Sequence, residues 1–469
     1  MAKDLRYFLE RLTALGDEEY VEVHREVDPK YELSAVLRKL QAEGRYPAVL
    51  FHRVKGTRMK TVSNLFASRK RLALALESSE DRLLESYMAG EESRMRPKKV
   101  DTGPVKDRVL TGDDVNLEAL PRIVHCEKDA GPYITAGVMV TRDAQSGAYD
   151  LGIFRMQFKG RNKIGVLFGD YSKAARVIRM NETENKPTEC AVFIGHHPAC
   201  ILASQTKVPY GIDEYEVASG LLNEQIEITE CETVDLEVPS RAEVVLEGII
   251  LPRVREPEGP FGEYTWYYGQ ERESHVMQVT AITYREEAIF HDIFSAHPDH
   301  NMTALIQREA VLYKRVKMLV PSLRTVRLPI SGVCRHVAYI SIKKEFDGQG
   351  KLAALAALAA DPLSKLVIVV DDDIDVANES EVMWAVATRV QADRAIFVVP
   401  EAYVSELDPS SYSIYGRNTR DSLNTKWAID ATKPVGLPFE ERADVPAEVW
   451  QKIDLKEYLK VGRDEKQLA

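Results

Sequence analysis

Cysteine is scarce in this chain and forms no pattern. The five cysteines, Cys126, Cys190, Cys200, Cys231 and Cys334, are odd in number and far apart, with no C-x-x-C pair. Zinc ribbons, thiolate-held iron–sulfur clusters and redox dithiols therefore lack their ligands. Positive charge is also short: 62 Lys plus Arg stand against 73 Asp plus Glu, a net charge of −11. Such a balance offers no broad attraction for nucleic acid or an anionic membrane, so an anionic ligand must be met by a local basic site. No window approaches the ~18–20 apolar residues that cross a bilayer. The stretch from Met1 to Leu12 carries charge throughout and lacks the apolar core of a signal peptide. A cytoplasmic protein with reduced thiols is the expectation. G-x-S-x-G, the P-loop and a G-x-G-x-x-G after a strand are missing too, which removes the signals of serine hydrolases, NTPases and dinucleotide dehydrogenases.

What is present reads as three textures. The 469 residues suggest two to four domains at roughly 100–200 residues each. Leu5, Phe8, Leu9, Leu12 and Leu15 recur at helical spacing, 31–41 repeats the pattern, and 20–24 and 48–52 read as short strands. A charged stretch over 91–107 looks like a linker. From about 109 to 285 β-branched or alternating runs dominate, at 134–140, 163–168, 190–194 and 275–282, with turn residues between them. So many strands predict a barrel or strongly curved sheet. Beyond residue 320 strands and helices alternate, at 365–370, 379–390 and 395–399, with an alanine-rich helix over 351–360. The expected fold is mixed α/β and β: an N-terminal α/β domain (1–108), a central split β-barrel (109–318) and a C-terminal α/β domain (319–469).

Several segments could carry chemistry. Glu258 and Glu263 lie five apart on a run stiffened by Pro257, Gly259, Pro260 and Gly262. An acidic turn of this kind suits a solvated surface, but Tyr264 to Tyr268 follow at once, and aromatic cover would desolvate an acid and favour a general-acid role. Asp150 and Arg155 bracket a short strand, a spacing that also suits a surface ion pair. Asp213, Glu214 and Glu216 around Tyr215 form either an oxygen-rich cation site or a helix start. The pairs His196-His197 and His297/His300 lack the helical i, i+4 arrangement with a Glu that zinc hydrolases use, and read as loop or strand-end residues. The acidic run 371–375 reads as a turn and helix cap at a strand end.

Taken in order, the runs 4–9, 26–33, 47–56, 129–137, 258–263, 369–375 and 426–434 resemble the UbiD family of reversible decarboxylases over nearly the whole chain. The resemblance implies an N-terminal α/β domain, a flavin-binding split barrel and a C-terminal α/β domain used in oligomerisation. It implies prenylated FMN, held through a divalent cation such as Mn2+ and a monovalent one such as K+. The metal ligands would be Asp150 and Glu214, both hard oxygen donors. Flavin contacts would come from Ile153, Phe154, Arg155, Leu167, Phe168 and Gly169, with Ser172 and Lys173 near the phosphate and Lys426 reaching in from the C-terminal domain. Arg155, Glu258 and Glu263 would form the catalytic network, with Glu263 as proton donor.

Three positions depart from the family pattern: Asp150 replaces an Asn, Tyr171 falls where a His often completes the metal site, and Trp266 follows Thr265 where Thr-Gly is common. The implied substrate is a small aromatic or α,β-unsaturated carboxylic acid, the implied cofactor supplier a flavin prenyltransferase, and the implied assembly a homodimer or homohexamer. The same residues also suit a carboxylase or carboxylase-complex subunit running in reverse, or a flavin-binding subunit without turnover.

Overall fold

The computed structural model describes residues 2–169, 172–411 and 422–459. The helix Leu5–Thr13 buries Leu5, Phe8, Leu9 and Leu12, the stripe its periodicity predicts, and Asp4 caps it by accepting from the Tyr7 amide at 3.0 Å. Each such side chain contributes on the order of 1.5–3 kcal/mol. Beside it Tyr20–Val23, Ala48–Phe51 and Lys60–Ser63 form a sheet whose fourth strand, Ile289–Asp292, arrives from far along the chain. The sequence-based break at residue 108 thus follows the chain but not the sheet.

The central sheet has nine strands, running Tyr133–Ile134, Met156–Phe158, Lys163–Val166, Arg272–Tyr284, Val244–Glu258, Thr188–Ile194, Val138–Arg142, Tyr149–Ile153, with Arg108–Thr111 paired beside Arg272–Tyr284. Only Phe154 and Arg155 join the last strand in this order to Met156–Phe158 near the opposite edge. Three Cα steps reach at most about 10 Å, so the two edges must curl toward each other. The result is a barrel split along that two-residue link, with Ile134, Met156, Val192 and Leu246 among its core residues.

The C-terminal sheet runs Leu323–Arg327, Val337–Ile342, Leu366–Asp371, Leu423–Ala431, Ile396–Tyr403. Its parallel pair Val337–Ile342 and Leu366–Asp371 needs a crossover, which the alanine-rich helix Gln349–Ala360 supplies. The helix Leu305–Leu319 packs on that helix and on Leu323–Arg327, so a boundary after residue 318 falls at the end of an element that packs with the C-terminal unit. The acidic run there is not a helix cap. Asp371 and Asp373 accept from Arg389 at 2.9 Å, and the cap of Glu379–Arg389 is Asn378. Among the described residues the five cysteines are free and no helix is long and apolar enough to cross a membrane.

Candidate active site

The two-residue link that closes the barrel delivers Arg155 to the split. The strand Val244–Glu258 delivers Glu258, and it does so by an irregularity. After a first shift between Glu247 and Gly248, its register with Arg272–Tyr284 runs to Ile250 opposite Met277 and resumes at Arg255 opposite His275, so five residues advance against two. Three extra residues is an odd number, and in a strand an odd shift reverses which face the following side chains take. Glu258 is therefore fully buried, although the outer part of the same strand around Arg253 and Val254 is exposed. Glu263 sits at the tip of a hairpin in which Phe261–Gly262 pairs with Tyr268–Gly269, and its own amide donates to Tyr267 O at 2.9 Å.

These three side chains meet. Arg155 donates from Nε and Nη2 to Glu258 Oε2 at 3.2 and 2.7 Å, and from Nη1 to Glu263 Oε1. The guanidinium lies over the Phe261 ring at 5.2 Å. A Cβ on Gly269 would stand 3.0 Å from Glu263 Oε1 and 3.2 Å from Arg155 Nη1, so a side chain there would press on both groups. Burial and the Glu258 charge push the nearby Tyr133 phenol well above its ordinary value.

The network forms one wall of a cavity of about 740 Å3, inside the ~300–1,000 Å3 range of small-molecule sites. Ile153, Phe154, Arg155, Leu167, Phe168, Gly169 and Glu263 all line it, but Glu258 does not, because it stands behind Arg155 with no exposed surface. Phe154 and Phe168 meet edge to face at 4.8 Å. The mouth is bridged by Arg272, from the barrel, donating to Glu406 of the C-terminal unit at 2.6 Å. A polar recess of about 150 Å3 opens beside Arg155, lined by Thr135, Gln205, Ser295, His300, Thr303 and Arg335.

A second cluster lies at the start of the strand that ends before Arg155. Asp150 and Glu214 are both buried, and Lys173 donates to Glu214 Oε1 at 2.8 Å while the Leu151 amide donates to Oε2 at 2.6 Å. Burial, and then the Asp150 charge, push the Glu214 carboxyl up to about 8 against the opposing Lys173 ammonium. Burial pushes Asp150 up to about 6, with Lys173 opposing. Asp213 caps the helix Glu214–Leu222, so this segment is both a helix start and an acidic site. Two buried hard-oxygen donors held together against their own repulsion fit a divalent cation. Ser172 caps Lys173–Thr183. Asp150 and Lys173 face a separate small pocket of about 20 Å3 rather than the large cavity. Tyr171 lies outside the described residues.

Two expectations are corrected. Lys426 does not reach the cavity: its ammonium donates to Leu358 O and Pro362 O, at 3.4 and 2.9 Å, where the carbonyls at the end of Gln349–Ala360 need donors. The aromatic run does not cover Glu263 either. Trp266, Tyr267 and Tyr268 are 42, 62 and 41% exposed, because the tight turn throws them outward. The Trp266 indole instead donates to Asn301 Oδ1 at 2.8 Å, and Asn301 Nδ2 donates to Tyr264 O at 2.7 Å. His300, Arg335, Arg179 and His275 line the cavity or its recess and were not anticipated. His297 caps the short helix Pro298–Met302; that helix turns His300 inward, which a loop reading of the segment hides.

Three sequence-family models match the chain in order: the 3-octaprenyl-4-hydroxybenzoate carboxy-lyase N-terminal domain at 12–89, its Rift-related domain at 98–298 and its C-terminal domain at 300–431. Anhydromevalonate phosphate decarboxylase of Methanothermobacter thermautotrophicus is 35% identical over 92% of this chain and 97% of its own. Among solved structures, the UbiD-class enzyme HmfF from Pelotomaculum thermopropionicum, in complex with FMN, superposes with a TM-score of 0.91 at 40% identity, covering 97% of this chain and 100% of that one. Vanillic acid decarboxylase of Sedimentibacter hydroxybenzoicus gives 0.86 at 31% identity, with 97 and 99% covered.

Proposed function

The chain belongs to the UbiD family of carboxy-lyases, and on that premise we propose that it removes carbon dioxide, reversibly and without net oxidation, from an aromatic or α,β-unsaturated carboxylic acid. Ile153, Phe154, Leu167, Phe168 and Gly169, which line the cavity, would hold prenylated FMN, and the recess beside Arg155 would take the substrate acid. The observation that carries this reading is the Arg155 guanidinium held between two buried carboxylates on the cavity wall. When bound, the prenylated flavin supplies the electron sink for the pair left behind as carbon dioxide departs.

The remaining work falls to the chain. Glu263 faces the cavity and Glu258 does not, so Glu263 is the acid that can hand a proton to the carbon losing its carboxyl group. Glu258 accepts from Nε and Nη2 and thereby orients Nη1 toward Glu263. Arg155 thus sets where the Glu263 carboxyl stands. Asp150 and Glu214 would hold Mn2+ or a similar ion, K+ would be the monovalent partner, and Ser172 and Lys173 would serve the flavin phosphate. The exposed Leu437, Phe439, Trp450 and Leu455 in the C-terminal unit support a homodimer or homohexamer contact there.

The test is the cofactor itself. Protein coexpressed with a flavin prenyltransferase is expected to copurify with a flavin whose mass exceeds that of FMN by the prenyl-derived ring, together with a divalent metal. Recovery of no flavin, or of a nicotinamide cofactor, refutes the reading.

A further inference from the structure

We propose that Glu22, His24 and His52 form a transition-metal site on the N-terminal sheet, separate from the cavity and from the Asp150–Glu214 pair. Glu22 and His24 are two apart at the end of the edge strand Tyr20–Val23, so they share a face. His52 follows Ala48–Phe51, which pairs in parallel with that strand, and its amide donates to Val23 O at 3.0 Å. Both imidazoles converge on one carboxylate oxygen: His52 Nε2 lies 2.8 Å and His24 Nε2 3.5 Å from Glu22 Oε2. The three donor atoms all stand within 4.8 Å of one another. Ligand bonds of ~2.0–2.1 Å in a tetrahedral site place donor atoms about 3.3 Å apart, a value that the two contacts bracket.

The carboxylate is itself held. The Tyr20 hydroxyl donates to Glu22 Oε1 at 2.9 Å, which leaves Oε2 aimed at the imidazoles, the outer-shell arrangement that orients a ligating carboxylate. Two imidazoles and one carboxylate select Zn2+, Ni2+ or Cu2+ over the oxygen-preferring Mg2+ and Mn2+. The His24 side chain is 72% exposed, which leaves a fourth position open to water.

Tag-free, flavin-loaded protein saturated with Mn2+ provides the test, titrated with Zn2+ against a chromophoric chelator and with Co2+ by visible absorption. The expected result is one further equivalent of Zn2+ per chain and a four-coordinate Co2+ band. His24→Gln, His52→Gln and Glu22→Gln are each expected to weaken uptake at least ~10-fold, with flavin content unchanged. His336→Gln, at another partly exposed histidine, is expected to leave uptake as it was. Equal Zn2+ uptake by wild type and the His24→Gln/His52→Gln double variant overturns the site, as does absence of the extra equivalent in wild type or its loss in His336→Gln.

Discussion

The sharpest consequence of the buried Asp150–Glu214 pair is how it couples protons, cation and stability. With carboxyls at about 6 and about 8, Glu214 carries its proton at pH 7 in the cation-free protein and must lose it to bind a divalent ion. Apparent Mn2+ affinity, measured with FMN present, should therefore fall about tenfold for each pH unit below about 8 and approach a hundredfold per unit below about 6, where Asp150 also holds a proton. Calorimetry in buffers of different ionisation enthalpy should count close to one proton released per cation at pH 7.

Stability should move the opposite way in the cation-free protein. Both folded values lie above the ordinary carboxyl range, so the folded state binds more protons than the unfolded chain, and stability falls as pH rises from about 4 through 8. The loss is complete above pH 8, where the pair is ionised, and added Mn2+ should restore the stability there. Glu214→Gln should abolish proton release at pH 7 and reduce metal and flavin retention together. A flat affinity between pH 6 and 8, or a Gln variant that loses metal yet keeps all its flavin, would refute the account of this pair.

Three further outcomes follow from the network and its hairpin. Glu263→Gln keeps the shape and an acceptor for Arg155 but has no acidic proton, so turnover should fall by ~10²–10⁴ with flavin loading unchanged, and deuterium from solvent should enter the product carbon more slowly; near-normal turnover would remove Glu263 from the reaction. Gly269→Ala places a carbon against Glu263 Oε1 and Arg155 Nη1 and should lower kcat far more than flavin content, while equal activity would mean that the hairpin shifts freely. Trp266→Phe deletes the donor to Asn301 Oδ1 and should cost about 0.5–1.5 kcal/mol in unfolding free energy; no change in Tm would place that hydrogen bond in exchange with water.

The regular elements were legible because they obey a local period. The stripe from Leu5 to Leu12 and the β-branched run over 190–194 appear as helix and strand where the pattern puts them. What escaped is set by tertiary pairing. Ile289–Asp292 is apolar like any core strand, and nothing in its four residues says that it completes the N-terminal sheet. The aromatic run over 264–268 looked like a cover for Glu263, but a turn with Trp266 at φ 65 exposes three of its rings. Composition gives side-chain chemistry, and backbone direction at a turn decides where that chemistry faces. Lys426 shows a related effect: its ammonium donates to Leu358 O and Pro362 O, at and just past the end of Gln349–Ala360.

Asp150 and Arg155 show how much a spacing can carry once its strand is known. Five apart, they suggested a surface ion pair. Asp150, however, lies near the start of the strand Tyr149–Ile153 and Arg155 in the link beyond its end, so the strand stands between them. Each instead finds its own partners: Asp150 lies beside Lys173 and Glu214, and Arg155 is held by Glu258 and Glu263. The strand thus divides the acidic cluster around Asp150 from the Arg155 network at the split.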